Sequence, residues 1–402
     1  MDLCVRHASA PYNKYFCAII LVMWSIAAIG FISAFFVSLL LAPWAVYVAK
    51  RIDAIGYPTS ILLARKKNLR QELVTKPRLE KPPTPLLGGA AYVISFVVVV
   101  AVGLALSSVI NFPRESVNSY ILWFLGVVVL LTLGVLDDKF ELPGLLQFLA
   151  HVLAVLLFML SGFDITVINL PFFGSINLNW WSVRISNWIS FVFPGDILAG
   201  FLIFLMLYGL KFQSGTDGLM EGYTAIALLV NAALAFSLGN TVAGFMSAVL
   251  SGALFGFLVF SFPLAAIRSG SAGKSVIGYL VATLTIIAEG KFTVLLGVFA
   301  LPVLDALTVL LRRFLKYKSI KKMFVISDRT HFHYRLMDLG LSEAQIAYFE
   351  YAYAMIVGII LVFAPKHWRS TIVVLVWIFT LFLIYIINKK SYEKVLAKTK
   401  AR

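Results

Sequence analysis

The stretch RSGSAGKSVIG, residues 268–278, closes its small-residue run on Gly273-Lys274-Ser275, the ending of a phosphate-binding P-loop. The P-loop spacing G-x-x-x-x-G-K-[ST] requires a first glycine at position 268, and the chain has Arg268 there. A P-loop also sits between a strand and a helix of a soluble α/β domain. The flanks here read GALFGFLVFSFPLAAI (252–267) and VIGYLVATLTII (276–287), and both have the apolar character of membrane spans. The loop therefore joins two spans, and the fold class that follows is an all-α polytopic membrane protein.

The rest of the chain agrees. Of 402 residues, 61% are hydrophobic and only 13% charged, more apolar surface than a soluble protein can bury. The two cysteines, Cys4 and Cys17, form neither a disulfide framework nor a zinc pattern. The uncharged run from Tyr15 to Ala49 exceeds the apolar core of a signal peptide, about 7–15 residues, and is read as a retained first span. Eleven apolar segments are expected as helices: 20–48, 86–110, 119–136, 144–162, 195–210, 223–239, 242–264, 274–290, 292–311, 347–364 and 370–388.

An odd number of spans puts the termini on opposite sides. The loops 50–85, 137–143, 211–222, 265–274 and 312–346 and the basic tail 389–402 share one side and hold 27 of the 34 lysines and arginines. That side is read as cytoplasmic, with the N-terminus outside and the C-terminus inside. The net charge of +15 thus lies along one membrane face, where it meets anionic lipid or substrate, and nucleic acid is excluded as a partner. The whole chain, 1–402, reads as one integral-membrane unit without internal repeats. The long outer loop 163–194 predicts a short β-hairpin turning at Phe173-Gly174-Ser175, with Trp180, Trp181 and Trp188 at the interface. Ser342 and Gln345 form a capping box that opens the tenth helix.

The polar residues gather at cytoplasmic helix ends. Asp137 and Asp138 leave the third span together; they either hold a cation and meet substrate, or form a solvated turn. Asp217 and Glu221 are four apart in KFQSGTDGLMEG, on one face if helical, among glycines that permit close approach to a phosphate or simply keep a loop flexible. Asp305 falls inside the ninth span, on a face with Thr308 and Arg312, as a functional carboxylate or one paired to a neighbouring helix. Glu289, near the outer end of its span, reaches the interface. Asp328, Arg329, His331, His333 and Arg335 crowd one basic loop and read as an anion-binding cluster or a solvated one; no cysteine joins the two histidines to make a zinc site. In KPRLEKPPTPLLGG (76–89), prolines fix an extended entry and Gly88-Gly89 allow close helix packing.

In order along residues 50–345, the motifs P-T-P-x-x-G-G, L-D-D, D-G-L-x-x-G, P-x-x-D with Arg-Arg, and D-R-x-H-x-H resemble the polyprenyl-phosphate N-acetylhexosamine-1-phosphate transferases, glycosyltransferase family 4. That family includes the phospho-MurNAc-pentapeptide transferase of peptidoglycan synthesis and the enzymes that start O-antigen and teichoic-acid linkage. The resemblance implies ten or eleven spans in the cell membrane with a cytoplasmic active face. It implies transfer of a sugar-1-phosphate from a UDP-sugar to a lipid such as undecaprenyl phosphate, with release of UMP. It also implies a magnesium cofactor, with manganese as the alternative, and a homodimer. Asp137 and Asp138 would orient or deprotonate the lipid phosphate, Asp217 would lie near nucleotide or metal, Arg329, His331 and His333 would face the diphosphate, and Asp305 would shape the site.

Among the departures from the family pattern, two lost carboxylates and two gained lysines move the site toward positive charge. The family's G-D-x-G-S loop reads here Gly270-Ser271-Ala272-Gly273-Lys274, so Ser271 stands at a metal-ligand position. The family's N-x-x-D-G-x-D-G places Lys211 at the asparagine and Ser214 at the first aspartate. Tyr334 replaces a third histidine, and Gln147 and His151 stand where a lysine and a glutamine are expected. Two readings follow: either Lys211 and Lys274 supply part of the metal's electrostatic work, with Glu221 as a substitute ligand, or catalysis is lost and binding of lipid phosphate or nucleotide remains. A third reading, from another class, is a secondary transporter or lipid flippase built on Asp305 and Glu289, which predicts a repeat between halves and broken helices at the midplane.

Overall fold

The computed structural model describes residues 11–57, 82–106, 117–170, 174–186, 189–288, 293–319 and 329–400. In chain order these form α1 (Pro11–Arg51), β1 (Ile55–Gly56), β2 (Thr84–Pro85), α2 (Gly88–Leu106), α3 (Val117–Phe140), α4 (Gly144–Met159) and β3 (Val167–Leu170). Next come β4 (Gly174–Asn177), β5 (Asn179–Arg184), β6 (Ser190–Pro194), α5 (Gly195–Gln213), α6 (Leu219–Ser237), α7 (Thr241–Ser261) and α8 (Gly270–Ile287). The chain ends with α9 (Thr293–Val298), α10 (Ala300–Tyr317), α11 (Phe332–Asp338), α12 (Glu343–Phe363) and α13 (Arg369–Lys400).

Nine of the described helices are long and apolar enough to cross a membrane: α1, α2, α3, α5, α6, α7, α8, α12 and α13. The sequence predicted eleven, and two segments differ. The fourth, α4, runs only 16 residues after Pro143, about 24 Å at 1.5 Å per residue and short of the ~30 Å hydrocarbon core. The ninth is two pieces, α9 and α10, separated at Phe299. Helix α10 buries Leu301, Leu304, Asp305, Val309 and Arg313 and exposes Leu307, Leu311 and Leu315, so charged residues are set among its apolar ones and it is not a uniformly apolar rod.

The centre of the molecule is α6, α7 and α8, which bury most of their surface in protein. Helices α1 and α2 pack on α7, α3 and α5 flank α8, and α12 lies along α6. Helix α13 is peripheral and mostly exposed, the position of a lipid-facing span. The capping box forms as read: Ser342 Oγ accepts from Gln345 N–H at 3.3 Å, and Gln345 Oε1 accepts from Ser342 N–H at 2.9 Å.

The loop between α4 and α5 holds two antiparallel hairpins where the sequence predicted one. Strands β3 and β4 pair from Val167↔Asn177 to Leu170↔Gly174, so Gly174 and Ser175, expected in the turn, instead open β4; β5 pairs with β6. The second pair went unpredicted because Asn179–Arg184 carries no clean alternation; all six residues are exposed. Trp180 and Trp181 project outward, while Phe173, Trp188, Asp328 and Glu289 lie outside the described residues.

Candidate functional site

The segment Arg268–Ser275 is the hub, and main-chain hydrogen bonds fix its place. Arg268 N–H donates to Pro85 C=O at 2.9 Å; Arg268 and Ser269 carbonyls accept from Gly88 and Gly89 N–H, both at 3.0 Å. The stretch PTPLLGG is thus the mount of the loop. Gly89 and Gly134 face the backbones of Gly273 and Ala272 so closely that a side chain at either glycine would collide with main chain. Gly270 has a left-handed φ of 67° and lies against the Asp138 carboxylate, a conformation and a space that suit glycine.

Asp138 is buried and closes the start of α8. Its Oδ1 accepts from Ser271 N–H at 2.6 Å and its Oδ2 from Ala272 N–H at 3.3 Å. A carboxylate from α3 thus satisfies two of the amides that every helix start leaves open and sits at the positive end of the α8 dipole. Asp137, its neighbour, is partly exposed and accepts from Gln147 Nε2 at 2.8 Å. The same amide nitrogen donates to Leu142 C=O at 3.2 Å, which fixes the α3–α4 turn.

Other elements meet the same loop. Arg268 Nε donates to Asp217 Oδ1 at 3.1 Å, and Asp217 N–H donates to Glu343 Oε2 at 3.2 Å. Buried Glu221 accepts from Ser269 Oγ. His151 Nε2 lies 3.1 Å from Ser275 Oγ and 3.4 Å from Lys211 Nζ, and its Nδ1 is 3.3 Å from Tyr208 Oη. An ammonium only donates, so Nε2 accepts and the ring proton sits on Nδ1, facing Tyr208. Ser214 Oγ donates to Lys211 C=O at 2.7 Å, within its own turn. Lys274 is close enough to Asp138, Glu221 and Lys211 to interact with their charges.

The histidine cluster adjoins this group. Buried Asp305 accepts from Phe332 N–H at 2.8 Å and pairs with His331 Nδ1 at 2.9 Å, so one carboxylate both starts α11 and fixes a ring. His331 stacks between Phe212 and His333, at ring distances of 5.2 and 5.8 Å. His333 and Tyr334 lie directly against Gly215, beside Asp217. Arg329 turns elsewhere: it lies 4.0 Å from Asp338 and over the Tyr334 ring. Arg312 faces Asn388 of α13 at 3.3 Å, away from Asp305.

Helices α3, α5 and α6 and the turn between α5 and α6 thus bring Asp138, Lys211, Glu221 and Asp217 to the loop that carries Ser271 and Lys274, with Asp137 beside Asp138 and His331, His333 and Asp305 alongside. Arg268, Ser269, Tyr208, Glu343 and Glu350 went unpredicted. Arg268 drew notice only as the residue that broke a P-loop. Glu343 was hidden in the first turn of a span, and Glu350 in its apolar run, where it accepts from Gln213 Nε2 at 2.8 Å.

The donors do not fit a resident magnesium ion. Both Asp138 oxygens accept backbone N–H groups, Asp217 faces an arginine, and Ser214 and Ser271 carry neutral hydroxyls, poor ligands for a hard cation beside carboxylates. Among the described residues no three His, Cys, Asp or Glu side chains are grouped to hold a metal ion.

Comparison with known proteins agrees with the motifs. Residues 120–289 match the model of glycosyl transferase family 4. The chain is 24% identical over 383 residues to a probable undecaprenyl-phosphate N-acetylglucosaminyl 1-phosphate transferase of Bacillus subtilis (strain 168), covering 91% of this chain and 93% of that protein. It is 25% identical over 352 residues to the phospho-N-acetylmuramoyl-pentapeptide-transferase of Staphylococcus carnosus (strain TM300), covering 84% and 98%. It is also 25% identical over 338 residues to the decaprenyl-phosphate N-acetylglucosaminephosphotransferase of Mycobacterium tuberculosis (strain ATCC 25618 / H37Rv), covering 77% and 76%.

Proposed function

We propose that this chain transfers a sugar-1-phosphate from a UDP-N-acetylhexosamine to polyprenyl phosphate, at the cytoplasmic face of the cell membrane, in synthesis of an envelope polysaccharide. Similarity to the three transferases over most of the chain supports the reaction class. The observation that carries the reading is the convergence of acidic and basic side chains from α3, α4, α6 and the α5–α6 turn on the Arg268–Ser275 loop, in a helical membrane protein. Such a site suits two anionic substrates, one of them lipid-borne.

In the proposed step an oxygen of the lipid phosphate attacks the β-phosphorus of the UDP-sugar. The bond from that phosphorus to the bridging oxygen breaks, and UMP leaves with the oxygen and its electron pair. Two anions must approach each other, and Arg268, Lys211 and Lys274 lower that repulsion. Asp137, with one oxygen held by Gln147, is the group assigned to orient the lipid phosphate and take its proton. Asp138 has a different part: it holds the loop to which the other groups are tied.

Purified protein given UDP-N-acetylglucosamine and undecaprenyl phosphate is expected to release UMP, read by chromatography, and Asp137→Asn to abolish the release. The engagement of Asp138 and the hydroxyls at 214 and 271 support a second reading, a homologue that binds lipid phosphate or nucleotide without turnover. Binding without UMP release for any UDP-sugar tested would establish that one. The transporter reading loses its main motive, because Asp305 is paired with His331 beside this cluster.

A further inference from the structure

We propose that the site holds the diphosphate of its nucleotide sugar on two lysines, Lys211 and Lys274, in place of a resident divalent cation. The inference rests on the transferase reading above and deepens it.

The acids around the loop already have positive or donating partners. Asp138 accepts two backbone N–H groups, Asp217 an arginine, and Glu221 a hydroxyl. Ser214 turns its hydroxyl back onto its own helix. Among the described residues no three His, Cys, Asp or Glu side chains are grouped to take a magnesium ion.

The positive charge is built in instead. Lys211 lies in the last turn of α5, with Nζ steadied beside His151. Lys274 lies in the first turns of α8, at the positive end of that helix dipole. His151 Nε2 lies 3.4 Å from Lys211 Nζ and 3.1 Å from Ser275 Oγ, the neighbour of Lys274, so the end of α5 and the start of α8 meet here. An anion of two or more charges entering at this junction accepts charge-assisted hydrogen bonds from both ammonium groups. Both lysines are partly accessible, so an entering ligand reaches them. A diphosphate has the charge and the span for this; a single carboxylate has neither.

The test is titration of UDP into the purified full-length protein by calorimetry, once in EDTA and once in magnesium, with manganese binding followed separately by electron paramagnetic resonance. UDP affinity is expected to agree within about twofold between the two buffers, and no stoichiometric manganese site is expected. Lys211→Met and Lys274→Met are each expected to weaken UDP in EDTA by about tenfold or more, while Lys211→Arg and Lys274→Arg keep binding, which separates lost charge from lost fold. A gain of about tenfold or more on adding magnesium, or a stoichiometric manganese site, overturns the lysine inference and leaves the transferase reading standing. No UDP binding in either buffer overturns both.

Discussion

Asp138 offers the sharpest test of how the site is built, because its two oxygens hold two amides of α8 and its neighbour Asp137 holds none. In Asp138→Ala both amides lose their acceptor in a buried place. A hydrogen bond to an ionised group contributes about 1.5–3 kcal/mol. The 2.6 Å bond from Ser271 belongs at the upper end and the 3.3 Å bond from Ala272 well below it. A loss of about 3 kcal/mol follows, with the interaction of the carboxylate and the helix dipole inside that figure. With an unfolding entropy of about 2 cal/mol/K per residue, 3 kcal/mol in a chain of 402 residues lowers the melting temperature by about 3–4 °C. Asp138→Asn keeps one acceptor oxygen and is expected to lose about half as much. The assay is intrinsic-fluorescence melting of the detergent-solubilised protein. If Asp138→Ala melts with the wild type, the carboxylate does not hold the start of α8, and the structural part assigned to it is wrong.

The companion substitution Asp137→Asn is expected to leave the melting temperature within about 1 °C, since one half-buried contact to Gln147 is at stake and an amide oxygen still accepts it, while UMP release disappears; retained release would remove Asp137 from the chemistry. Asp305→Asn frees the His331 ring and is expected to lower UMP release by about tenfold to a hundredfold. His331→Ala should do no more, and the double variant should match the worse single one; additive losses would mean that the two act separately. Gly89→Val drives a side chain into the Gly273 backbone, and folded protein is expected to be lost from the membrane fraction, whereas Gly144→Ala, with open space around it, should accumulate normally in the same blot.

Much of this was legible in the chain before folding. Long uninterrupted apolar runs can do little except span, so nine helices were found near their true places. The two that differed lacked that redundancy: α4 is too short, and α10 mixes Asp305, Arg312 and Arg313 into its apolar face. The site residues were visible as polar side chains at helix ends, but their partners were not. Asp138 and Ser271 stand 133 residues apart, and nothing local marks one as the acceptor for the other. Asp305 and His331 were each singled out, yet their pairing depends on how α10 and α11 pack, a tertiary fact. The adjacent aspartates looked alike as letters; only their surroundings separate a buried helix cap from an accessible carboxylate.

Main-chain atoms of residues 85–89 grip main-chain atoms of residues 268 and 269. Such a grip is blind to the side chains that follow it. Positions 271 and 274 are therefore free to change chemistry from one descendant to the next without rebuilding the scaffold, and an acidic, metal-seeking pocket and a basic, self-sufficient one can be alternative fittings on a single mount.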